Sequence, residues 1–157
     1  MTPEQLAQLY DKFQHTVYRT ALSYCRNVQD AEDITQEVFL KRFAQERTFP
    51  DDAQEKAWLI RMTVNQCKNL LKAVRRRGAV PLEDADAVCV TPEEHTLWDA
   101  VGALPPKYRL VIQLYYGEGY TVTEIAGMTN RTETAVQTQL YRARKQLRDI
   151  LGEEVTP

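Results

Sequence analysis

The sequence predicts an all-α fold: two small helical domains joined by a flexible linker, the second containing a helix-turn-helix. Apolar residues recur at steps of three and four through most of the chain, as one face of an α-helix requires. Only a weak run at 87–90 alternates like a strand. The stretch 78–90 is acidic, contains Pro81 and has no periodicity, which is typical of a linker. The predicted divisions are a first domain at 1–77, the linker at 78–90, a second domain at 91–152 and a tail at 153–157.

Composition excludes several function classes. A net charge of −2 over 157 residues argues against a general polyanion binder, since non-specific DNA affinity grows with the phosphates neutralised. Three cysteines and two histidines have no metal-ligand spacing, and no catalytic motif or glycine-rich phosphate loop occurs. We therefore expect no enzyme, no metal and no cofactor. The absence of a signal peptide or a long apolar run predicts a cytoplasmic protein without membrane insertion.

Three helices are predicted in the first domain. Thr2 and Gln5 form a capping-box pattern around Pro3, which opens a helix that reaches about residue 25. Asp30 is predicted to cap a second helix that reaches about residue 44. After a loop containing Phe49-Pro50, a third helix is predicted from about 54 to 74.

The second and third helices carry faces whose function the pattern leaves open. Asp30, Asp33 and Glu37 form an acidic stripe, which suits either a solvated face or a basic partner. The polar face of the third helix begins with an aromatic residue, continues with amides and ends with bases, as in Trp58, Asn65 and Lys72. That order suits single-stranded nucleic acid, which binds through stacking and backbone charge. The alternative for Trp58 is packing against another part of the bundle.

The second domain is predicted to contain four helices. Thr91 opens the first, Leu104-Pro105-Pro106 ends it, and a further helix ends at Gly117. Thr121 and Glu124 then form a second capping-box pattern, which begins a short helix. Asn130 is suited to the left-handed turn that follows, and a long helix runs from there to Leu151.

This last helix is predicted to bury one stripe and to present a polar one. Its buried residues recur at helical spacing: Val136, Leu140, Ala143, Leu147 and Ile150. Hydroxyl, amide and aromatic side chains precede the bases on the opposite side, as in Thr134, Thr138, Tyr141, Arg142 and Lys145. The order suits base edges first and phosphates second. An amphipathic helix with a solvated basic face is the alternative.

Five segments, in order, resemble the extracytoplasmic-function sigma factors of bacterial RNA polymerase. They are DAEDITQEVFL at 30–40, WLIRMTVN at 58–65, LPPKYR at 104–109, EIA at 124–126 and LYRAR at 140–144. Each is weak alone, but five in register over 157 residues are specific. The resemblance implies a promoter-specificity subunit that binds core polymerase and promoter DNA without chemistry of its own.

The resemblance also implies roles for individual residues. The second helix would dock on the clamp helices of the largest polymerase subunit through Asp33, Gln36, Glu37 and Leu40. The loop at 47–54 and the third helix would hold the melted minus-ten element through Trp58, Arg61, Asn65, Lys68 and Asn69. The second domain would read the duplex minus-thirty-five element through Arg109, Arg131, Thr134, Gln137, Thr138, Tyr141, Arg142 and Arg144. A regulatory anti-sigma protein is a further implied partner.

Some residues depart from the family pattern. Asn130 stands where glycine is usual in the turn, which left-handed geometry makes a mild change. Gln139 stands where arginine is usual, and we expect this to remove a phosphate or guanine contact. Ala135 and Thr138 replace Thr and Ser, and Asn69 replaces a frequent acid. The promoter consensus is therefore not predicted.

Two other functions compete with this interpretation. The first is a DNA-binding regulator that acts without core polymerase and uses its first domain to self-associate. The acidic stripe argues against it, because a self-associating acidic patch needs a basic complement. The second is an enzyme, which the isolated histidines and the missing catalytic motifs disfavour.

Overall fold

The computed structural model describes residues 1–77 and 97–152, and all regular structure within those ranges is helical. The chain divides into two compact units, Met1–Lys72 and Ala73–Pro157. The all-α, two-domain fold class is confirmed, whereas the predicted domain bounds stay a prediction. The linker at 78–90, the Thr91 helix start and the tail at 153–157 lie outside the described residues.

Helix α1 spans Pro3–Cys25 and begins as predicted. The Thr2 hydroxyl accepts a hydrogen bond from the Gln5 backbone N–H, and the Gln5 side chain accepts one from the Thr2 N–H. The helix ends at Arg26, whose backbone is left-handed with φ of 51° and whose N–H donates to the Leu22 carbonyl. Its buried stripe includes Val17 and Ala21, both 0% exposed.

Helix α2 spans Val28–Ala44, and its predicted cap was wrong. The cap is Asn27, whose side-chain oxygen accepts the Asp30 backbone N–H at 2.9 Å. Asn27 has an extended backbone, with φ of −139° and ψ of 120°, so it can turn its side chain back over the first turn. Asp30 therefore lies inside the first turn, where its negative charge interacts favourably with the positive end of the helix dipole.

Helix α3 spans Asp52–Arg76, about two residues longer at each end than predicted. Its buried residues recur at helical spacing: Leu59, Ile60, Thr63, Val64 and Cys67. Leu71 and Val74, further along the same side, are half-buried. Cys67 of this buried set contacts Cys25 at the end of α1.

Two thiols lie inside this first core. The Sγ atoms of Cys25 and Cys67 are 3.8 Å apart, and both residues are buried. The hydrogen bond with Cys25 and burial together raise the pKa of Cys67 well above its ordinary value. Both act as small packing residues, since a neutral buried thiol is a poor nucleophile.

The second unit begins with α4, Leu97–Gly102, and α5, Pro106–Ile112. A wide, π-helical turn follows at Gln113–Gly117, where the Glu118 N–H reaches back five residues to the Gln113 carbonyl at 2.9 Å. Gly119, with φ of 76°, then turns the chain into the next helix. The sequence predicts this helix and its end at Gly117, but not the wide turn.

The helix-turn-helix is formed by α6, Val122–Thr129, and α7, Glu133–Leu151. The predicted capping box between Thr121 and Glu124 is present. Asn130 is left-handed, with φ of 56°, and Thr132 caps α7 by accepting from the Ala135 N–H at 3.1 Å. The second core contains four predicted α7 residues and buried residues of α5, the wide turn and α6: Val136, Leu140, Ala143, Leu147, Val111, Leu114 and Ile125. Ile150 is half-buried.

Candidate binding surfaces

The first candidate surface is the exposed side of α2. Its predicted members all lie in solvent: Asp33, Gln36, Glu37 and Leu40. Leu40 is 61% exposed, which is unusual for a large apolar side chain. Asp33 accepts a hydrogen bond from Gln29 at 3.0 Å, and Glu37 lies 4.0 Å from the Lys41 ammonium. Such exposed contacts are weak, so both carboxylates stay available to a partner.

A groove of about 370 Å³ separates this surface from α3. It is lined by Asp30, Asp33, Ile34, Glu37, Gln66, Asn69 and Leu70. Three of these residues are acidic and none is basic, so the groove attracts cations. Asn69 therefore borders the acidic groove as well as the polar face of α3, where the sequence places it.

The second candidate surface is the polar face of α3. Arg61, Asn65 and Asn69 are exposed, whereas Lys68 and Trp58 are half-buried. The Trp58 ring packs against Phe49 with ring centroids 6.0 Å apart. Packing of Trp58 against the preceding loop is thus present, and the residue as a whole remains half-buried.

An ion pair that the sequence analysis missed supports this loop. Arg42 is 4% exposed at the end of α2, and its guanidinium binds one Glu55 carboxylate oxygen at 2.7 and 2.8 Å. The same guanidinium lies 5.0 Å from the centre of the Phe49 ring, and Arg47 lies 5.1 Å from it. A second groove, of about 760 Å³, opens beside these residues. No sequence signal pairs Arg42 with Glu55, because they are 13 residues apart.

The third candidate surface is the outer side of α7 and the turn before it. Five predicted residues are exposed: Arg131, Thr134, Gln137, Tyr141 and Arg142. Tyr141 is 62% exposed, and Thr138 is half-buried beside it. The Thr123 hydroxyl donates to Glu133 at 2.6 Å, which ties the start of α7 to α6. Amide, hydroxyl, aromatic and basic groups are therefore presented together along one helix side.

Two residues of the second unit are not where the sequence analysis places them. Arg109 was predicted to contact the minus-thirty-five element, but it is 3% exposed and donates to the Leu104 carbonyl, so that prediction is wrong. Its guanidinium instead stabilises the turn between α4 and α5 through this hydrogen bond. Gln139 is 7% exposed, so its position lies in the core rather than on the DNA-facing side. Its side-chain oxygen is buried without a hydrogen-bond partner.

Arg144 is half-buried on the flank of α7, where two tyrosines surround it. Its Nε donates to the Tyr116 hydroxyl at 2.8 Å, and its guanidinium lies 5.6 Å from the ring centres of Tyr115 and Tyr116. The neighbouring Tyr120 is half-buried, and this burial, followed by Glu118 and Glu124, raises its pKa to about 12. Its phenol is thus neutral at physiological pH. The wide turn that places these tyrosines was not predicted.

Within residues 1–77 and 97–152, no three His, Cys, Asp or Glu side chains cluster in a way that could hold a metal ion. In the same ranges, no helix is both long and apolar enough to cross a bilayer.

Comparison with known proteins places both units in families. Residues 9–77 match the family described as sigma-70 region 2, and residues 94–147 match sigma-70 region 4. The chain is 30% identical to the RNA polymerase sigma factor SigV of Bacillus subtilis, over 87% of this chain and 85% of that protein. It is 28% identical to the ECF RNA polymerase sigma factor SigM of Mycobacterium tuberculosis, over 92% and 76% respectively.

One solved structure has the same fold. The sigma factor RpoE of Bartonella quintana, crystallised with the anti-sigma factor NepR, aligns with a TM-score of 0.74. The alignment covers 97% of this chain and 99% of that one, at 20% sequence identity.

Proposed function

This chain belongs to the extracytoplasmic-function sigma factors of the sigma-70 family, and we propose that its three exposed surfaces divide the work of promoter recognition. A sigma factor binds core RNA polymerase and directs transcription initiation at promoters. The assignment of different promoter elements to the two units rests on one observation. Each unit presents its own polar helix face, on α3 in the first and on α7 in the second.

We assign core-polymerase binding to the exposed side of α2. Asp33, Glu37 and the acidic groove supply negative charge, and Leu40 supplies an exposed apolar contact. This combination suits a basic helical partner, because charge steers the encounter and a desolvated apolar anchor slows dissociation. The clamp helices of the largest polymerase subunit are the partner that the family resemblance implies.

Charge reversal tests this assignment. Asp33→Arg/Glu37→Arg is expected to abolish co-elution with core RNA polymerase in size-exclusion chromatography. Glu4→Arg/Glu46→Arg is the matched control, because it changes the net charge equally at exposed acids outside α2. Retained binding by the first variant would contradict the α2 assignment, and failure of the folded wild-type chain to bind would contradict the sigma function itself.

We assign the melted minus-ten element to the α3 face and the loop before it. Arg61 and Asn65 are exposed for backbone and base contacts, and the half-buried Trp58 offers a stacking surface. In holoenzyme, Arg61→Ala/Asn65→Ala is expected to weaken binding to a promoter fragment with a pre-opened bubble by about tenfold or more. Equal binding by this variant and the wild type would contradict the assignment.

We assign the duplex minus-thirty-five element to α7 and its preceding turn, without Arg109. Gln137, Tyr141 and Arg142 are exposed on one side of a helix that a helix-turn-helix places in the major groove. Tyr141→Ala/Arg142→Ala is expected to remove discrimination between the selected duplex and a scrambled one, measured by fluorescence anisotropy of holoenzyme. Lys107→Ala is the control, since Lys107 lies in α5 and outside this surface.

No observation favours the autonomous regulator. The relatives that match most of this chain are named RNA polymerase sigma factors. We also propose that the chain has no chemistry of its own and acts by binding alone.

A regulatory partner is a further part of the proposal. Val28, Leu40 and Phe43 of α2 are exposed apolar side chains that an anti-sigma protein would cover. Co-expression with the products of neighbouring genes, followed by affinity purification, tests this. A stable complex that competes with core polymerase is expected, and the absence of such a complex would contradict it.

A further inference from the structure

We propose that Tyr116 is a positioning residue: its hydroxyl holds the Arg144 guanidinium ready to bind a DNA phosphate at the edge of the α7 surface. The proposal rests on the assignment of α7 to duplex DNA and adds a residue outside the helix-turn-helix to that site.

The wide turn brings the two tyrosines to Arg144. Within Gln113–Gly117 the backbone forms a π-helical turn, in which a hydrogen bond spans five residues. The angle between consecutive side chains is smaller there than in an α-helix, so Tyr115 and Tyr116 point in more similar directions. Their rings meet edge to face, with centroids 4.9 Å apart and planes at 79°. The guanidinium of Arg144 lies the same 5.6 Å from both ring centres. Two aromatic contacts therefore define its position.

The hydrogen bond fixes the orientation of the same group. Because the Tyr116 hydroxyl accepts from Nε at 2.8 Å, this bond uses one of the five guanidinium N–H groups of Arg144 and leaves the four on the terminal nitrogens. No carboxylate among the described residues pairs with Arg144. A positive group that is held by neutral neighbours and keeps its terminal donors free is prepared for an anion.

The position of Arg144 along α7 identifies that anion. Arg144 lies three residues after Tyr141 and seven after Gln137, and Arg148 follows four residues later, so the four side chains share one side of the helix. Gln137, Tyr141 and Arg148 are exposed, whereas Arg144 is half-buried at the border. A group at the border of a helix lying in the major groove meets the backbone rather than the bases. The ligand is therefore a phosphate of the duplex.

Pre-positioning has a physical advantage. A free arginine side chain carries considerable rotamer entropy, part of which binding must remove. Two ring contacts and one hydrogen bond restrict Arg144 before DNA arrives. The affinity gained this way does not depend on base sequence, because a phosphate contact carries no sequence information.

The test uses the full-length chain bound to core polymerase and a duplex that this holoenzyme selects from a random pool. Arg144→Ala is expected to lower the slope of log affinity against log salt by about 0.9, the loss of one phosphate contact. Tyr116→Phe keeps the ring and removes only the hydroxyl, so we expect about three- to tenfold weaker binding at fixed salt. In the Arg144→Ala background, Tyr116→Phe is expected to change nothing further. Tyr115→Phe is the matched control and is expected to bind like the wild type.

The outcomes separate this inference from the function on which it rests. If wild-type holoenzyme selects no duplex, the assignment of α7 to DNA fails and the inference fails with it. If wild type binds selectively but Arg144→Ala leaves the salt slope unchanged, only the inference is overturned. It is also overturned if Tyr116→Phe weakens binding equally with and without Arg144, because the hydroxyl would then act on structure alone. Melting temperatures of all variants confirm that each is folded.

Discussion

Arg42 shows how one charged residue supports a binding loop. Its guanidinium is buried against Glu55 and Phe49, at the point where α2 ends and the loop before α3 begins. Arg42→Met would leave the Glu55 carboxylate, itself only 16% exposed, without its partner. We expect the free energy of unfolding to fall by about 3 kcal/mol, the usual loss when one member of a buried pair is removed.

The neighbouring Lys41 is the matched control for that substitution. Its ammonium pairs with Glu37 at 4.0 Å, but both side chains are largely in solvent. Lys41→Met is therefore expected to change the free energy of unfolding by less than about 0.5 kcal/mol. Urea denaturation followed by far-UV circular dichroism measures both. Equal losses in the two variants would show that the buried pair contributes nothing beyond a surface one.

Gln139 presents the opposite case, a buried polar residue that weakens the fold. Its side-chain oxygen lies in the second core with no hydrogen-bond partner. Gln139→Met keeps the length of the side chain and removes the unpaired oxygen, so we expect the free energy of unfolding to rise by about 1 kcal/mol. Gln137→Met, at an exposed position of the same helix, is expected to change it by less than about 0.5 kcal/mol. A lower melting temperature for Gln139→Met would refute the prediction.

At the scale of elements, the turn between α6 and α7 depends on one backbone conformation. Asn130 is left-handed, which costs a residue with a Cβ about 1–2 kcal/mol unless its side chain tolerates it, as Asn does. Asn130→Ala is therefore expected to lower the free energy of unfolding by about 1 kcal/mol. Asn130→Gly is expected to leave it within about 0.5 kcal/mol, because glycine adopts this conformation freely. The same loss in both variants would place the effect in the Asn side chain instead.

The end of α1 provides a comparison for this turn. Arg26 adopts the same left-handed backbone, with φ of 51°, but its long side chain lacks the local hydrogen bonding of Asn. Arg26→Gly is thus expected to raise the melting temperature of the protein, unlike Asn130→Gly. A decrease would show that the Arg26 side chain makes a contact that outweighs its backbone strain.

Local patterns predicted most of the elements because their causes are local. The capping boxes at Thr2 and Thr121 and the left-handed Asn130 depend on residues within one turn. The start of α2 was wrong because Asn27 and Asp30 are both good caps, and only the backbone decides between them. The wide turn at Gln113–Gly117 was missed because periodicity over five residues does not distinguish it from an α-helix.

The binding surfaces were less predictable than the helices that carry them. Exposure of Asp33 and Tyr141 follows from helical periodicity, since each lies opposite a buried stripe. The burial and contacts of an arginine side chain do not follow from periodicity in this way. Arg42 is buried against a carboxylate of α3 and Arg144 is half-buried between two tyrosines, so tertiary structure supplies the partners of both. Arg109 is buried against the Leu104 carbonyl, five residues earlier, and helical periodicity does not predict that contact.

The whole molecule combines weak surfaces in two units on one chain. Its net charge of −2 gives little general attraction to DNA, so binding depends on the local faces of α3 and α7. When both faces engage one promoter, the second contact is intramolecular and benefits from effective concentration. Recognition by the pair can therefore be tight although each surface alone is weak.

Because the two faces belong to separate cores, their contributions to promoter binding should be independent. We expect Arg61→Ala/Asn65→Ala in the first unit and Tyr141→Ala/Arg142→Ala in the second to weaken holoenzyme binding additively, with a coupling below about 0.5 kcal/mol. Equilibrium titration of a complete promoter with each double variant, and with the variant that combines all four substitutions, measures the coupling. Tyr116 and Arg144 serve as the contrasting pair, since their direct contact predicts strong non-additivity. A coupling above about 1 kcal/mol between the two units would mean that they act as one body on DNA rather than as two tethered ones.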